Sequence, residues 1–149
     1  TSDSRIKRMA FGGGDYTLDL NYEWNADESV LAYARAKLSH AARLGNLEAP
    51  IDTVVLQIKD DERFLQSARH GKQFGFGGKL CIHPAQIPLT HQVFTPSEEE
   101  IAHARAVVAA FEAAEAEGSA SIQLDGYFID YPIVYKSQRI LALADSLLS

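Results

Sequence analysis

Gly12-Gly13-Gly14-Asp15 places a carboxylate directly behind a run of glycines, and the short apolar run Met9-Ala10-Phe11 precedes it. The pattern reads as a buried strand that ends in a flexible loop. At a strand end such a carboxylate can bind a hard cation, while exposed backbone N–H groups hold a ligand's carboxylate or phosphate. The same residues also suit a turn in which Asp15 bonds its own backbone. Asp130 is the second candidate, set among Tyr127, Phe128, Ile129, Tyr131 and Pro132. That apolar, aromatic setting suits proton transfer. An aspartate just ahead of a helix with Pro132 in its first turn is equally a helix cap.

His83 follows Leu80-Cys81-Ile82 and is either a ligand or base, or a hydrogen-bonded structural residue. His40, His70, His91 and His103 show no metal-ligand spacing, which argues against a zinc site. Gly78-Lys79 looks like the end of a phosphate loop. That motif also needs a glycine five positions before Gly78 and a Ser or Thr after the lysine, and Gln73 and Leu80 stand there instead. The nucleotide reading fails. Glu98-Glu99-Glu100 is a helix N-terminus that uses the dipole, not an acidic binding motif.

The elements that must position these residues follow from periodicity. From Asp27, the residues Val30, Leu31, Ala34, Leu38, Ala41 and Ala42 recur at helical spacing, with Asp27 as the start cap and Gly45-Asn46 as the end. Ile51 to Ile58, behind Pro50, reads as a second buried strand. Asp60 to Phe74 is helical, with Phe64, Leu65 and Ala68 on one face and Gly75 as its stop. Leu80-Cys81-Ile82 is the third strand, entered through Gly75, Gly77 and Gly78 and stopped by Pro84.

Strand, helix, strand, helix, strand is the pattern of parallel pairing through helical crossovers, an α/β fold whose ligands gather at the carboxyl ends of the strands. Gly12 to Asp15, the Lys59-Asp60 region and His83 to Gln86 then share one rim. The remainder is helical. Thr95 caps a helix with Pro96 at its first position and Glu98 closing a capping box; Ile101, Ala104, Val107, Val108 and Phe111 form its apolar face. Ser119 to Gly126 is a linker or brief strand. A last helix carries Ile133, Ile140, Leu141, Ala144 and Leu148 on its apolar side.

The 149 residues are one domain's worth, 46% hydrophobic and 23% charged. A net charge of -6 argues against a nucleic-acid partner. The lone Cys81 rules out a disulfide framework or thiolate metal cluster and favours a reducing compartment. No run has membrane-spanning length and Thr1-Ser2-Asp3-Ser4-Arg5 is not a signal peptide, so a cytoplasmic location is the default expectation. The start without Met, with few polar residues before Arg8-Met9-Ala10-Phe11, reads as a chain cut from something longer.

Taken together, Phe11-Gly12-Gly13-Gly14-Asp15-Tyr16, Gly75-Phe76-Gly77-Gly78-Lys79 running into Ile82-His83-Pro84-Ala85-Gln86, Thr95-Pro96-Ser97, and Gly126-Tyr127-Phe128-Ile129-Asp130-Tyr131-Pro132 resemble the citrate lyase beta-subunit-like family. These are aldolases and lyases of the HpcH/HpaI type, malyl-CoA and citramalyl-CoA lyases among them. The resemblance runs over almost the whole chain but matches only the family's C-terminal half. It implies the C-terminal part of a (β/α)8 TIM barrel, the last three strands and their helices over residues 1–94. Residues 95–149 would be a C-terminal helical extension that contacts a neighbouring subunit.

The resemblance further implies a Mg2+-dependent carbon-carbon lyase that cleaves or forms a hydroxyacyl-CoA thioester. Asp15 matches the metal-ligand aspartate. Gly13 and Gly14 match the backbone that approaches the bound acid, and His83 and Pro84 lie where the thioester arm would pass. Asp130 matches the aspartate presented to a neighbour's active site, able to deprotonate the thioester's methyl group in condensation. Gly14 departs from the family, which often carries a bulkier or acidic residue there. The glutamate ligand and the carboxylate-clamping arginine belong to strands absent from this chain. The implied partners are therefore a CoA-thioester or small carboxylic acid, the N-terminal half of the barrel, and further copies in a homo-oligomer such as a trimer. The alternatives are a non-catalytic member that binds CoA or a partner, and a phosphate-binding domain that uses the Gly12 to Gly14 loop.

Overall fold

The computed structural model describes residue 3 and residues 5–148, the side chain of Leu148 excepted. The readings that involve Thr1, Ser2, Ser4 and the Leu148 side chain lie outside the described residues. Two compact units divide the chain, residues 1–94 and 95–149.

The first unit is built on parallel backbone pairing. Ala10 bridges Ile51 in parallel, and β1 (Ile51–Asp52) pairs in parallel with β2 (Gly78–Lys79). The ladder bonds run Ile51 N–H to Met9 O, Phe11 N–H to Ile51 O, Gly77 N–H to Pro50 O and Leu80 N–H to Asp52 O, each 2.9 Å. The order in space is therefore Ala10, β1, β2. Helix α1 (Gly13–Asp19), a short 3-10 turn (Ser29–Leu31) and α2 (Ala32–Leu44) precede β1; α3 (Asp61–Gln73) joins β1 to β2; and α4 (Gln86–Phe94) follows. Parallel neighbours need such crossovers.

Local sequence explains most of these boundaries. Asp60 caps α3 by accepting the Arg63 N–H at 3.0 Å. Beyond the helix Gly75 turns with φ +84, a conformation that side chains resist, and Phe76 N–H returns to Gly71 O at 3.1 Å. Asn46, at φ 52, ends α2 in the same way. One apolar cluster gathers Phe11, Leu31, Ala34 and Phe76; a second gathers Val55, Phe64, Leu65, Ala68 and Val93.

Several elements differ from the sequence reading. The third strand lies at Gly78–Lys79, while Leu80, Cys81 and Ile82 are exposed. The glycines decide this: a Cβ on Gly77 would come to 2.9 Å from the Ala49 side chain, and one on Gly78 to 3.0 Å from Ile51, so the backbones approach and pair there. The second strand shortens from 51–58 to Ile51–Asp52, leaving Leu56 and Ile58 exposed. Gly12 to Asp15 is not simply a loop, because α1 begins at Gly13 and extends through part of the stretch read as irregular. Helix α4, absent from the sequence reading, tolerates Pro88 because a first-turn N–H has no intrahelical acceptor.

The second unit packs α5 (Glu98–Ala116) on α6 (Tyr131–Leu148), with the antiparallel hairpin β3 (Ile122–Leu124) and β4 (Tyr127–Ile129) between them in sequence. Val107, Phe111, Ile129 and Val134 form its core. The cap of α5 is Ser97, not Thr95. Ser97 Oγ accepts the Glu100 N–H at 3.1 Å, and Glu100 Oε2 accepts the Ser97 N–H at 2.8 Å. This register places Glu98, Glu99 and Glu100 together in the first turn, where the helix dipole favours them. In α6, Val134 is buried where Ile133 was expected to be. Asp125 and Gly126 both have positive φ, as a two-residue hairpin turn requires, so 119–126 is half of a hairpin.

Candidate functional site at the carboxyl edge of the sheet

Because Ala10, β1 and β2 run parallel, the segments that follow them leave from one edge of the sheet. Gly12 to Asp15 leaves the first, 53–60 the second and 80–85 the third.

Gly13 is buried, and its N–H donates to Thr53 Oγ1 at 2.9 Å. A Cβ at Gly13 would sit 2.7 Å from that oxygen, so glycine is required for this approach between the first and second segments. Thr17 Oγ1 donates back to the Gly13 and Gly14 carbonyls at 3.0 Å. Gly14 and Asp15 are exposed in the first turn of α1. Asp15 thus offers one hard oxygen ligand at the rim. Among the described residues no group of three or more His, Cys, Asp or Glu could hold a metal ion.

His83 and Pro84 form an exposed turn between β2 and α4. The His83 carbonyl accepts the Gln86 N–H at 3.0 Å, the Pro84 carbonyl accepts the Ile87 N–H at 3.1 Å, and His83 Nδ1 lies 3.2 Å from the Ala85 N–H. Topology places this turn and Asp15 on the same edge, with the segment after β1 between them. Asp130 belongs to the second unit. It is half-buried, and its carbonyl accepts the Ile133 and Val134 N–H groups at 3.1 Å, the backbone role of a residue that opens a helix. Next to it, Tyr131 donates its phenol to Glu115 Oε1 at 2.8 Å, which holds that phenol above its usual pKa, and packs edge-on against Phe111.

The sequence reading missed the buried charges behind the rim. Arg35 forks onto Asp52 with Nε to Oδ1 at 3.0 Å and Nη2 to Oδ2 at 2.9 Å, and reaches Glu28 Oε2 at 2.7 Å. Lys79 Nζ donates to Asp52 Oδ2 at 3.0 Å and to Ser67 Oγ at 2.8 Å. Arg63 closes the chain of charges on Glu28 Oε1 at 2.7 Å and also holds the Ala26 carbonyl at 2.6 Å. Burial pushes the Lys79 ammonium down against the pull of Asp52, whereas for Arg35 the two carboxylates outweigh burial and raise its pKa. The network ties β1 and β2 to α2, α3 and the Ala26–Glu28 segment. A readable signal existed: Asp52 interrupts an apolar run.

A cavity of about 340 Å³ opens beside this network, lined by Trp24, Asn25, Ala26, Val55, Leu56, Gln57, Asp60 and Arg63. It combines an aromatic and aliphatic wall with a few polar groups, the usual make-up of a small-molecule cleft. The Trp24 indole N–H is buried with no protein partner.

Parallel crossovers and a separate unit of two helices and a hairpin define an α/β protein. The sequence profile of the HpcH/HpaI aldolase/citrate lyase family matches residues 2–84, and the chain belongs to that family. Citrate lyase subunit beta of Leuconostoc mesenteroides subsp. cremoris is 37% identical over 145 residues, 97% of this chain and 48% of that protein. The mitochondrial citramalyl-CoA lyase of Rattus norvegicus is 34% identical over 142 residues, 95% of this chain and 42% of that protein. Among solved structures, CitE of Mycobacterium tuberculosis in complex with magnesium, acetoacetate and coenzyme A aligns with a TM-score of 0.77 at 29% identity, over 92% of this chain and 51% of that one. The chain spans about half the length of the curated relatives it matches.

Proposed function

We propose that this chain is the C-terminal part of a TIM barrel with its helical extension, in a Mg2+-dependent lyase that cleaves or forms a hydroxyacyl-CoA thioester of the malyl-CoA or citramalyl-CoA type. The observation that carries the reading is the parallel order Ala10, β1, β2, which sets Asp15 and the His83–Pro84 turn on one carboxyl edge. Ligands of barrels and open α/β sheets gather at that edge. The similarity to citrate lyase beta and citramalyl-CoA lyase supports the reaction class, and the magnesium and coenzyme A bound by the M. tuberculosis relative support the ligands.

In this reading Asp15 is one metal ligand, and the others come from barrel strands outside this chain. Bound Mg2+ supplies Lewis acidity at the hydroxy or keto acid. Gly13 fixes the turn by its bond to Thr53, which leaves the exposed Gly14 backbone to approach the acid. His83 and Pro84 flank the thioester arm. Asp130 serves the site of a neighbouring subunit in a homo-oligomer: its carboxylate takes the proton from the carbon next to the thioester carbonyl in condensation and returns it in cleavage. Among the described residues no helix is long and apolar enough to cross a membrane, and the lone cysteine supports a cytoplasmic setting.

The test is cleavage of malyl-CoA and citramalyl-CoA by the complete barrel before and after chelation. Cleavage of at least one, lost on chelation and restored by Mg2+, is the expected result. Failure to cleave either, or cleavage indifferent to chelation, overturns the reading.

A further inference from the structure

Gln86 is 1% exposed, the first residue of α4, and its side chain joins two segments of the rim. Its Oε1 accepts the Ile82 N–H at 2.9 Å and its Nε2 donates to the Val55 carbonyl at 3.0 Å. An amide has one accepting and one donating end, so the two bonds fix its orientation as well as its position. Burial without such partners would be costly.

The two ends belong to different strands' exits. Ile82 lies in the segment that leaves β2, and Val55 lies in the segment that leaves β1 and lines the rim cavity. The Gln86 N–H also donates to the His83 carbonyl at 3.0 Å, so the His83–Pro84 turn is closed on both sides by one residue. Thr90 Oγ1 in turn donates to the Gln86 carbonyl at 3.0 Å and anchors that residue within α4.

We infer that Gln86 is a positioning residue for the thioester: it sets the distance between the His83–Pro84 turn and the Val55 wall of the cavity, so that the arm enters between two fixed edges. This rests on the lyase reading above. The consequence is specific. Loss of the tie lets one edge drift from the other and weakens thioester binding, while the reacting groups at Asp15 and Asp130 keep their places.

Two substitutions in the complete barrel test the inference. Gln86→Glu retains the acceptor for Ile82. Its carboxyl, when protonated, also donates to Val55, whereas the ionised form places negative charge against that carbonyl. Burial raises the pKa of such a carboxyl. Relative to the unsubstituted protein at each pH, KM for the acyl-CoA should be near normal at the acid end and rise about tenfold as the introduced carboxyl ionises, with kcat retained. Gln86→Met fills the same space without charge and should raise KM about tenfold at every pH, which keeps the inference testable if the buried charge unfolds the first variant. A purely structural role would instead reduce the active fraction, lowering apparent kcat at unchanged KM. That pattern, or unchanged KM in both variants, overturns the inference while the lyase reading stands. An unsubstituted protein that cleaves no hydroxyacyl-CoA overturns both.

Discussion

An alanine at position 71 would bring its Cβ to 2.7 Å from Oδ2 of Asp52, a carboxylate already held by Arg35 and Lys79. Neither side of that contact can retreat cheaply, because Gly71 lies within α3 and Asp52 within β1. Gly71→Ala should therefore cost about 1–3 kcal/mol by overpacking. Urea unfolding checks it through a lower midpoint at unchanged slope; an unaltered midpoint would mean that the charge network yields.

Arg35 is the more demanding residue, since Glu28 and Asp52 are both fully buried beside it. Arg35→Met would leave each carboxylate with one partner fewer, and breaking a buried pair in this way costs about 3–5 kcal/mol. Arg35→Lys should recover little, because an ammonium cannot fork across two oxygens while also reaching Glu28. Equal stability of the lysine variant and the parent in urea would contradict the geometry.

At the level of elements, the capping box of α5 is a local device with a separable energy. Ser97→Ala removes the acceptor for the Glu100 N–H and should destabilise the second unit by about 1 kcal/mol, whereas Thr95→Ala should be near neutral. Thermal unfolding of the two variants decides between the caps. Both registers match the Ser/Thr-x-x-Glu pattern, and so the sequence reading settled on Thr95; the gathering of three glutamates into one first turn favours Ser97.

What was legible elsewhere follows the same logic. The first two parallel segments showed as apolar runs, the third paired at Gly78–Lys79 ahead of the apolar run Leu80-Cys81-Ile82, and α2, α3, α5 and α6 showed as helical spacing. Strand lengths did not, because they depend on where Gly77 and Gly78 let backbones meet. Helix α1 was hidden because three successive glycines suggest a loop, and tertiary contact with Thr53 overrides that preference. The common carboxyl edge of the parallel segments was legible from their alternation with helices. Its tie at Gln86 and the charges behind it were not, because buried Gln, Arg, Lys and Asp look like surface residues until a structure pairs them.

At the scale of the molecule, the chain covers about half of its relatives' length, and Leu56, Ile58, Leu80 and Ile82 stand exposed after the strands. The proposed lyase then needs two completions, the remaining barrel strands and a neighbouring subunit that lends Asp130. Mixing subunits that carry Asp15→Ala with subunits that carry Asp130→Ala should restore part of the activity that each lacks alone, since some sites in a mixed oligomer inherit both aspartates. Verified mixed oligomers with no recovery would place Asp130 outside a shared site.

The proposed reaction depends on Asp15, which Mg2+-dependent cleavage of the hydroxyacyl-CoA substrate by the complete barrel, with and without Asp15→Ala, tests without intermediaries. Asp15 is exposed at the rim, so its removal should leave folding intact. The variant should fold as the parent does and lose cleavage even at high Mg2+. Undiminished cleavage with the same Mg2+ dependence would contradict it.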